Sequence, residues 1–349
     1  MEVTARAGAT ARAGVIARSG WFWLALLLLL PLVGCAGSGA SKQPGTLPEG
    51  QAERQEQPRS GSTSPPGPEE KGPLPGALLV VIDNHPAARP QSGLDKADLV
   101  YEAEAEGGLT RFLAVFYSRE APRIGPVRSA RLYFAEIARA YNAPFAHAGG
   151  NFDVLAAIPR LGIKDLDEIY NASSSFWRSP ERKMPHNLYT STGRLWEGAA
   201  AKGFKPVPLP KLLAGEVEGG KPAEELSITY ERLKGYRYTA SYRYVDGVYR
   251  RYINGEPHLT DDGTHLEADN VVVLFARSVP VMREELQTDI RVTGEGEAFF
   301  FTRGRVYAGR WKKKNPSSHF EFLYSNAPMR FSPGRTWIQI APGRGALTF

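Results

Sequence analysis

Cysteine is nearly absent from this chain of 349 residues, and so is any large excess of charge of one sign. With 1 Cys, the chain cannot form an internal disulfide, which excludes a disulfide-stabilised scaffold. The formal net charge at pH 7 is +6, and no nucleic-acid recognition motif is present. Because 42% of the residues are hydrophobic, the composition predicts ordinary globular cores without a nucleic-acid partner.

Patterns of the common catalytic and metal centres are missing as well. Ser129 is not part of a G-x-S-x-G elbow, so a serine hydrolase is not expected. His85 closes the Asp83-Asn84-His85 strand end, His147 precedes Gly149-Gly150 and His186 lies in a loop, which would suit zinc if carboxylates joined them. No HxH or HxxxH spacing supports such a site, however. The sequence therefore predicts that the protein holds no metal and no cofactor. The histidines are expected to be hydrogen-bonded loop residues.

A long apolar run occurs once, near the N-terminus. Trp21 to Val33 is apolar, follows the basic residues Arg6, Arg12 and Arg18, and is too short for the roughly 20 residues of a comfortable transmembrane helix. It ends in Leu-Val-Gly before Cys35, which matches a bacterial lipobox. The alternative is a plain signal anchor with an incidental cysteine. Because Cys35 is the single cysteine, we expect a signal peptide at 1–34 and an acylated, palmitate-bearing Cys35 on the outer face of the cell membrane.

The rest of the chain divides by composition. Residues 35–75 are rich in Pro, Gly and Ser with almost nothing apolar, which predicts a disordered tether behind the lipidated cysteine. Strand and helix patterns then alternate over 76–205, a Pro- and Gly-rich hinge follows at 206–222, and strand patterns dominate 223–349. The predicted fold is an α/β sandwich domain followed by a smaller β-rich domain, after a lipoprotein signal and tether.

Individual elements of the first domain can be placed from local patterns. Strands are predicted at 77–83, 97–106, 110–118 and 144–150, with a tight turn at Gly107-Gly108. Helices are predicted after Ser129, after Asn151 and over 194–202. In the second domain, Asp246-Gly247 predicts a hairpin, and further strands are expected at 271–276, 297–302, 305–311, 319–324 and 336–341. The basic run 310–314 is interpreted as a solvated hairpin end rather than a contact with anionic lipid or wall polymer.

Long stretches of the folded part resemble the YerB-like lipoprotein family. They read VIDNHPAARPQSGLDKADLVYEAEAEGGLTRF, IGPVRSAR, HAGG, MPHNLYT and, near the C-terminus, TWIQIAP. The resemblance covers nearly everything from Ala77 onward and implies a membrane lipoprotein without a settled biochemical activity. The first domain is also faintly similar to the LytR-CpsA-Psr phosphotransferases, which attach anionic polymers to the cell wall. Their strand begins with a catalytic aspartate, however, where this chain has Thr110-Arg111.

Charged residues around the third predicted strand suggest a site for an anion. Arg128 and Arg131 flank Ser129 at a predicted helix start, where free N–H groups and guanidinium groups favour phosphate or carboxylate. A row of glutamates on one strand face could instead neutralise these arginines internally, and both interpretations stay open. The candidate ligand-binding residues are Asp83, Asn84, His85, Arg89, Glu102, Glu104, Glu106, Arg111, Arg128, Ser129, Arg131, His147, His186 and Asn187.

These patterns favour a membrane-tethered binding protein without catalysis, whose α/β domain holds an anionic envelope ligand. One alternative is an envelope phosphotransferase or hydrolase that uses the same arginines on polyprenyl-pyrophosphate-linked substrates. Another is a structural adaptor for a second envelope protein. No catalytic residue can be assigned from the sequence.

Overall fold

A computed structural model describes residues 74–231, 237–283 and 286–349, all within one compact unit. The predictions for the signal peptide, Cys35 and the tether fall almost wholly outside this part of the chain. None of the helices in the described ranges combines the length and the apolar character needed to cross a membrane.

Strands and helices alternate in the N-terminal half. The strands are β1 (Leu78–Asp83), β2 (Leu99–Glu106), β3 (Leu109–Phe116), β4 (Pro144–His147), β5 (Lys164–Asp167), β6 (Phe176–Arg178) and β7 (Leu188–Thr190). The α-helices are α1 (Leu132–Tyr141), α2 (Phe152–Leu161) and α3 (Thr192–Ala201), and short 3-10 turns lie at Pro86–Ala88, Leu94–Lys96 and Ser173–Ser175.

The C-terminal half is built almost entirely of strands. They are β8 (Lys221–Pro222), β9 (Glu225–Glu231), β10 (Arg237–Val245), β11 (Val248–Ile253), β12 (Glu256–Pro257), β13 (Glu267–Ala268), β14 (Asn270–Phe275), β15 (Ser278–Met282), β16 (Leu286–Ile290), β17 (Gly294–Thr302), β18 (Arg305–Lys313), β19 (Glu321–Tyr324), β20 (Ala327–Pro328), β21 (Thr336–Ala341) and β22 (Leu347–Thr348), with a 3-10 turn at Arg344–Ala346. The predicted β10–β11 hairpin is confirmed, and its turn residues Asp246 and Gly247 both have positive φ.

One large sheet runs through both halves of the chain. Its order is β20-β19-β18-β17-β14-β21-β2-β3-β1-β4-β5, so β21 from the C-terminal end lies between β14 and β2. Two sets of strands are parallel: β1, β4 and β5, and also β2, β21 and β14. The described chain is therefore largely β-rich, and the three α-helices are confined to the N-terminal half.

The large sheet separates two hydrophobic cores. On one face, Leu79 and Val81 of β1 pack with Phe134 and Ile137 of α1 and with α2. On the other face, alternate residues of β1 and β3 pack with α3 and with a second sheet of order β12-β11-β10-β9-β22. Because side chains alternate along a strand, central strands such as β1, β2, β3 and β21 contribute to both cores.

Two local predictions around the charged stretch are wrong. Ser129 does not cap a helix, because α1 begins at Leu132 and its N-cap position is Arg131, which makes no side-chain capping hydrogen bond. The glutamates of β2 do not share one face either. The pairing of β2 with β3 shifts register between Glu104 and Glu106, as in a β-bulge. This shift turns Glu106 toward the face that carries Arg111, away from the face of Glu102.

The basic run at the end of β18 is held within the protein. Lys313 is buried, and its Nζ donates hydrogen bonds to the carbonyl oxygens of Asn315, Pro316 and Ser318. Lys312 and Arg310 both form ion pairs with Glu295 across the hairpin. The buried lysine therefore closes a loop, and only part of the predicted basic patch faces solvent.

Candidate anion site at the carboxyl edge of the sheet

Polar side chains collect where the parallel strands β1, β4 and β5 end. Asp83, His147 and Asp167 are the last residues of these three strands. The segment before α1 crosses this edge, because Arg128 N donates to Val81 O at 2.9 Å and Arg128 O accepts from Ala148 N at 3.1 Å. Carboxyl ends of parallel strands are where α/β proteins commonly bind ligands. The crossing segment therefore places Arg128 at a favourable edge.

Asp83 lies at the centre of this edge. Its Oδ1 accepts from the backbone N–H of His85 at 2.9 Å, and its Oδ2 accepts from His186 Nδ1 at 2.8 Å. The two imidazole rings stack with 4.6 Å between their centroids. Burial by itself would raise the pKa of Asp83, but the His85 N–H and the charges of Arg111 and Arg128 outweigh it, so the net shift is downward. Asp83 is thus held ionised.

Arg128 is the arginine of this edge that faces solvent. Its side chain is 29% exposed, and its Nε lies 3.6 Å from Asp83 Oδ2, too far for a hydrogen bond. Among the described residues, no partner accepts a hydrogen bond from that buried Nε. Because Asp83 already accepts bonds from two histidine groups, Arg128 keeps hydrogen-bonding capacity for a further anion.

The other two predicted arginines share one carboxylate behind Arg128. Arg111 and Arg131 bind opposite oxygens of Glu106, Arg131 at 2.7 Å, and Arg111 also donates to the carbonyl of Ser129 at 2.7 Å. Burial lowers the pKa of Arg111 to about 10, against the Glu106 charge, which raises it. The internal interpretation therefore holds for Arg111 and Arg131. The three guanidinium groups do converge, but one of them remains accessible.

Glu102 and Asn84 belong to a different assembly on the opposite face of the sheet. Glu102 pairs with Arg251 of β11 at 2.8 Å, and both side chains are 0% exposed. Tyr238 donates to Glu102 at 2.7 Å and accepts from Arg251 at 2.8 Å, while Asn84 donates to Thr110 at 2.7 Å. This buried network joins the large sheet to the second sheet.

Further polar groups complete the network. Arg89 donates to Asn84 Oδ1 at 2.9 Å, and His258 accepts from Arg251 Nε at 3.0 Å and contacts Gln91 at 2.9 Å. Sequence reasoning missed Arg251, although it occupies an inward position of β11 between Tyr249 and Ile253. An arginine at an inward strand position requires a buried carboxylate as its partner. This requirement could have indicated that Arg251 pairs with an acidic residue of another strand.

The remaining predicted site residues have other partners than Arg128. Burial raises the pKa of Glu104, whose carbonyl accepts from Tyr133 at 2.7 Å. Asn187 is buried and accepts from Arg178 at 3.1 Å. His147, the last residue of β4, lies 2.8 Å from Asp165 and 3.7 Å from Asp167, both of β5. Of the predicted set, the structure brings together the buried Asp83 with the half-buried His85, Arg128 and His186, and it places Arg111, Arg131 and Glu106 behind them.

Comparison with known proteins identifies the class to which this two-part fold belongs. Residues 63–205 match the model of the DUF3048 N-terminal domain and residues 226–338 that of the DUF3048 C-terminal domain, both described as protein of unknown function. A Bacillus subtilis protein named "Putative lipoprotein YerB" is 33% identical over 276 residues, which are 76% of this chain and 81% of the relative.

A solved structure agrees with the sequence match. The crystal structure of YerB protein from Bacillus subtilis superposes with a TM-score of 0.72 at 30% identity, covering 78% of this chain and 93% of that chain. The chain belongs to the YerB-like family.

Proposed function

We propose that this protein is a lipoprotein anchored by Cys35 to the outer face of the bacterial cell membrane, and that its folded part binds an anionic envelope ligand through Arg128. The anchor is supported by the lipobox at Cys35 and by the name of the B. subtilis relative. The observation that carries the ligand site is the partly exposed Arg128 guanidinium, whose Nε lies 3.6 Å from the Asp83 carboxylate, beside two buried arginines that share Glu106.

The chemistry of this edge favours a phosphate or pyrophosphate group. A guanidinium presents a planar fork of N–H donors that matches two oxygens of such an anion. His186, whose Nδ1 is held by Asp83, is half-buried beside it. Asp83 fixes the orientation of the imidazole and is the charge that an incoming anion must avoid. The ligand class is therefore a phosphorylated envelope component that approaches Arg128 from the solvent side.

The transferase alternative finds no support in the residues around Arg111. In place of the aspartate of the LytR-CpsA-Psr enzymes stand Thr110 and Arg111, and both are buried. Thr110 donates to Glu102 at 2.7 Å, and Arg111 is occupied by Glu106 and the Ser129 carbonyl. We therefore propose binding without catalysis. The adaptor alternative would use the same exposed edge, but no described contact favours it.

Thermal melting of the detergent-purified, full-length chain with and without pyrophosphate tests the site. If pyrophosphate binds the folded state, a concentration of 100 times Kd stabilises it by about 2.7 kcal/mol. For a chain of this size we expect a rise in Tm of roughly 5–10 °C. In Arg128→Gln, which removes the charge and the fork, the rise should fall to near zero.

Arg310→Gln is the matched control, because Arg310 is also an exposed arginine paired with one carboxylate, on the distant strand β18. It should retain the full response to pyrophosphate. The response of the parent should weaken as ionic strength increases, since exposed charges are screened. A parent whose Tm is indifferent to pyrophosphate, or an Arg128→Gln variant that responds like the parent, would contradict the proposed site.

A further inference from the structure

We propose that His147, Asp165 and Asp167 form a binding site for a divalent transition-metal ion of the Zn²⁺ class. One ligand atom from each of these residues lies within 4.8 Å of the others. The three residues come from the neighbouring parallel strands β4 and β5, where His147 pairs with Asp167 in register. The register of the sheet itself therefore brings them together.

The hydrogen bonds of the imidazole leave one ring nitrogen facing a carboxylate. His147 is 0% exposed, and its Nδ1 lies 2.9 Å from the carbonyl oxygen of Gly149. A carbonyl oxygen only accepts, so Nδ1 carries a proton. Nε2 lies 2.8 Å from Asp165 Oδ1, and in a neutral ring it presents a lone pair to that oxygen. Two lone pairs at this distance repel each other unless a proton or a metal ion lies between them.

The second carboxylate favours a metal ion over a proton. Asp167 is 1% exposed, and its Oδ1 accepts from the backbone N–H groups of Gly149 at 2.8 Å and Ile169 at 2.9 Å. Its Oδ2 lies 3.7 Å from His147 Nδ1, and no described residue donates a hydrogen bond to it. One proton on His147 would balance one carboxylate, whereas a divalent ion balances both. A positive charge beside Asp167, which is 1% exposed, lowers the cost of burying its carboxylate.

Each candidate ligand is also held from behind, as ligands in metal sites usually are. The Gly149 carbonyl orients the ring, Asn171 donates to Asp165 Oδ2 at 2.6 Å, and backbone N–H groups hold Asp167 Oδ1. Such outer contacts fix the rotamers and leave one atom of each side chain for the ion.

A pocket gives the ion access and space for further ligands. Asp165 and Asp167 both line a pocket of about 450 Å³ together with Leu155, Ile158 and Tyr170. Three protein ligands with an open position are typical of zinc sites that also bind water or a substrate atom. The imidazole favours Zn²⁺ or a similar ion over Mg²⁺ and Ca²⁺, which prefer oxygen ligands alone. The site has no short sequence motif, because the whole of α2 lies between His147 and Asp165 in the chain.

Metal binding can be measured on the untagged, full-length chain in detergent after treatment with a chelator. Calorimetric titration with Zn²⁺ should show one site per chain, and Zn²⁺ should raise the Tm relative to chelator. Bound Co²⁺ should give visible absorption bands of the four- or five-coordinate ion. We expect His147→Gln and Asp165→Asn to lower Zn²⁺ affinity at least 10-fold. Asp246→Asn, at an exposed hairpin turn, is the charge-matched control and should bind like the parent.

The parent alone decides the question if the variants fail to fold, which circular dichroism would reveal. A parent that binds no Zn²⁺, with the same Tm in Zn²⁺ and in chelator, overturns the proposal. Binding of equal affinity in the parent and in folded Asp165→Asn overturns it as well, because the ion would then lie elsewhere.

Discussion

Replacing Glu102 by Gln should reveal how much of the fold depends on the buried network between the two sheets. The change keeps the shape of the side chain and removes one charge. Arg251 would then remain buried at 0% exposure without a carboxylate, although Tyr238 still accepts from it and its guanidinium carbon lies 4.3 Å from the ring centroid of Trp337. In the parent, the Glu102 carboxylate, the tyrosine hydroxyl and the indole ring together favour the charged arginine, and Glu102 is the anion among these groups.

The expected cost follows from the unpaired charge. Breaking a fully buried ion pair by removing one partner destabilises a protein by about 3–5 kcal/mol. In a chain of this size the loss corresponds to a fall in Tm of roughly 6–20 °C. Replacing both partners, in Glu102→Gln with Arg251→Met, should cost less than the sum of the single changes, because no unpaired charge then remains.

Denaturant unfolding of the parent, both single variants and the double variant measures these costs directly. The exposed pair of Arg243 with Glu225 in the same second sheet provides a control, and its loss should cost less than about 1 kcal/mol. A Glu102→Gln variant within about 1 kcal/mol of the parent, well below the cost of an unpaired buried charge, would refute the view that this network joins the sheets.

Three further outcomes are expected. Because the pKa of Asp83 is lower in the folded state, its charge stabilises the fold at pH values above its unfolded pKa of about 4. This contribution is lost as the pH falls through the lower folded-state pKa. Asp83→Asn should therefore flatten the acid side of the stability curve, measured by urea unfolding at each pH. Burial lowers the pKa of Lys313 to about 8. Between pH 8 and about 10.5 the unfolded state therefore binds more protons than the folded state, and the free energy of unfolding should rise with pH. Lys313→Met should remove that rise. Cys35→Ser should abolish palmitate incorporation and signal cleavage, and equal labelling of variant and parent would end the lipoprotein proposal.

Local patterns predicted the strands with strong short-range signals, whereas β5, β6, β7, β9, β15 and β16 were not predicted. The alternation around Asp246-Gly247 and the apolar run of β1 each lie within a few residues, and both elements occur where expected. The helix of Asn151 was predicted for the same reason, since the side chain accepts from Val154 N at 3.0 Å and Gly162 ends the helix in a left-handed conformation.

The errors arose where distant segments compete for the same backbone. Ser129 could not begin a helix because the backbone on either side of it binds β1 and the turn after β4. The prediction that the three glutamates share one face was wrong because a register shift before the Gly107-Gly108 turn places Glu106 on the opposite face of the sheet. Arg251 supplies the partner of Glu102 from 149 positions away, which no local pattern can indicate.

The sequence likewise could not show which of Arg111, Arg128 and Arg131 is accessible to solvent. They differ because Glu106 lies within reach of two of them and the third projects past Asp83 into solvent. The most direct test of this distinction is a crystal structure of the protein grown with pyrophosphate. We predict density for the anion within hydrogen-bond distance of the Arg128 guanidinium, with Glu106 still bound to Arg111 and Arg131. An Arg128 side chain that contacts Asp83 alone, with pyrophosphate absent from this edge at saturating concentration, would contradict the account.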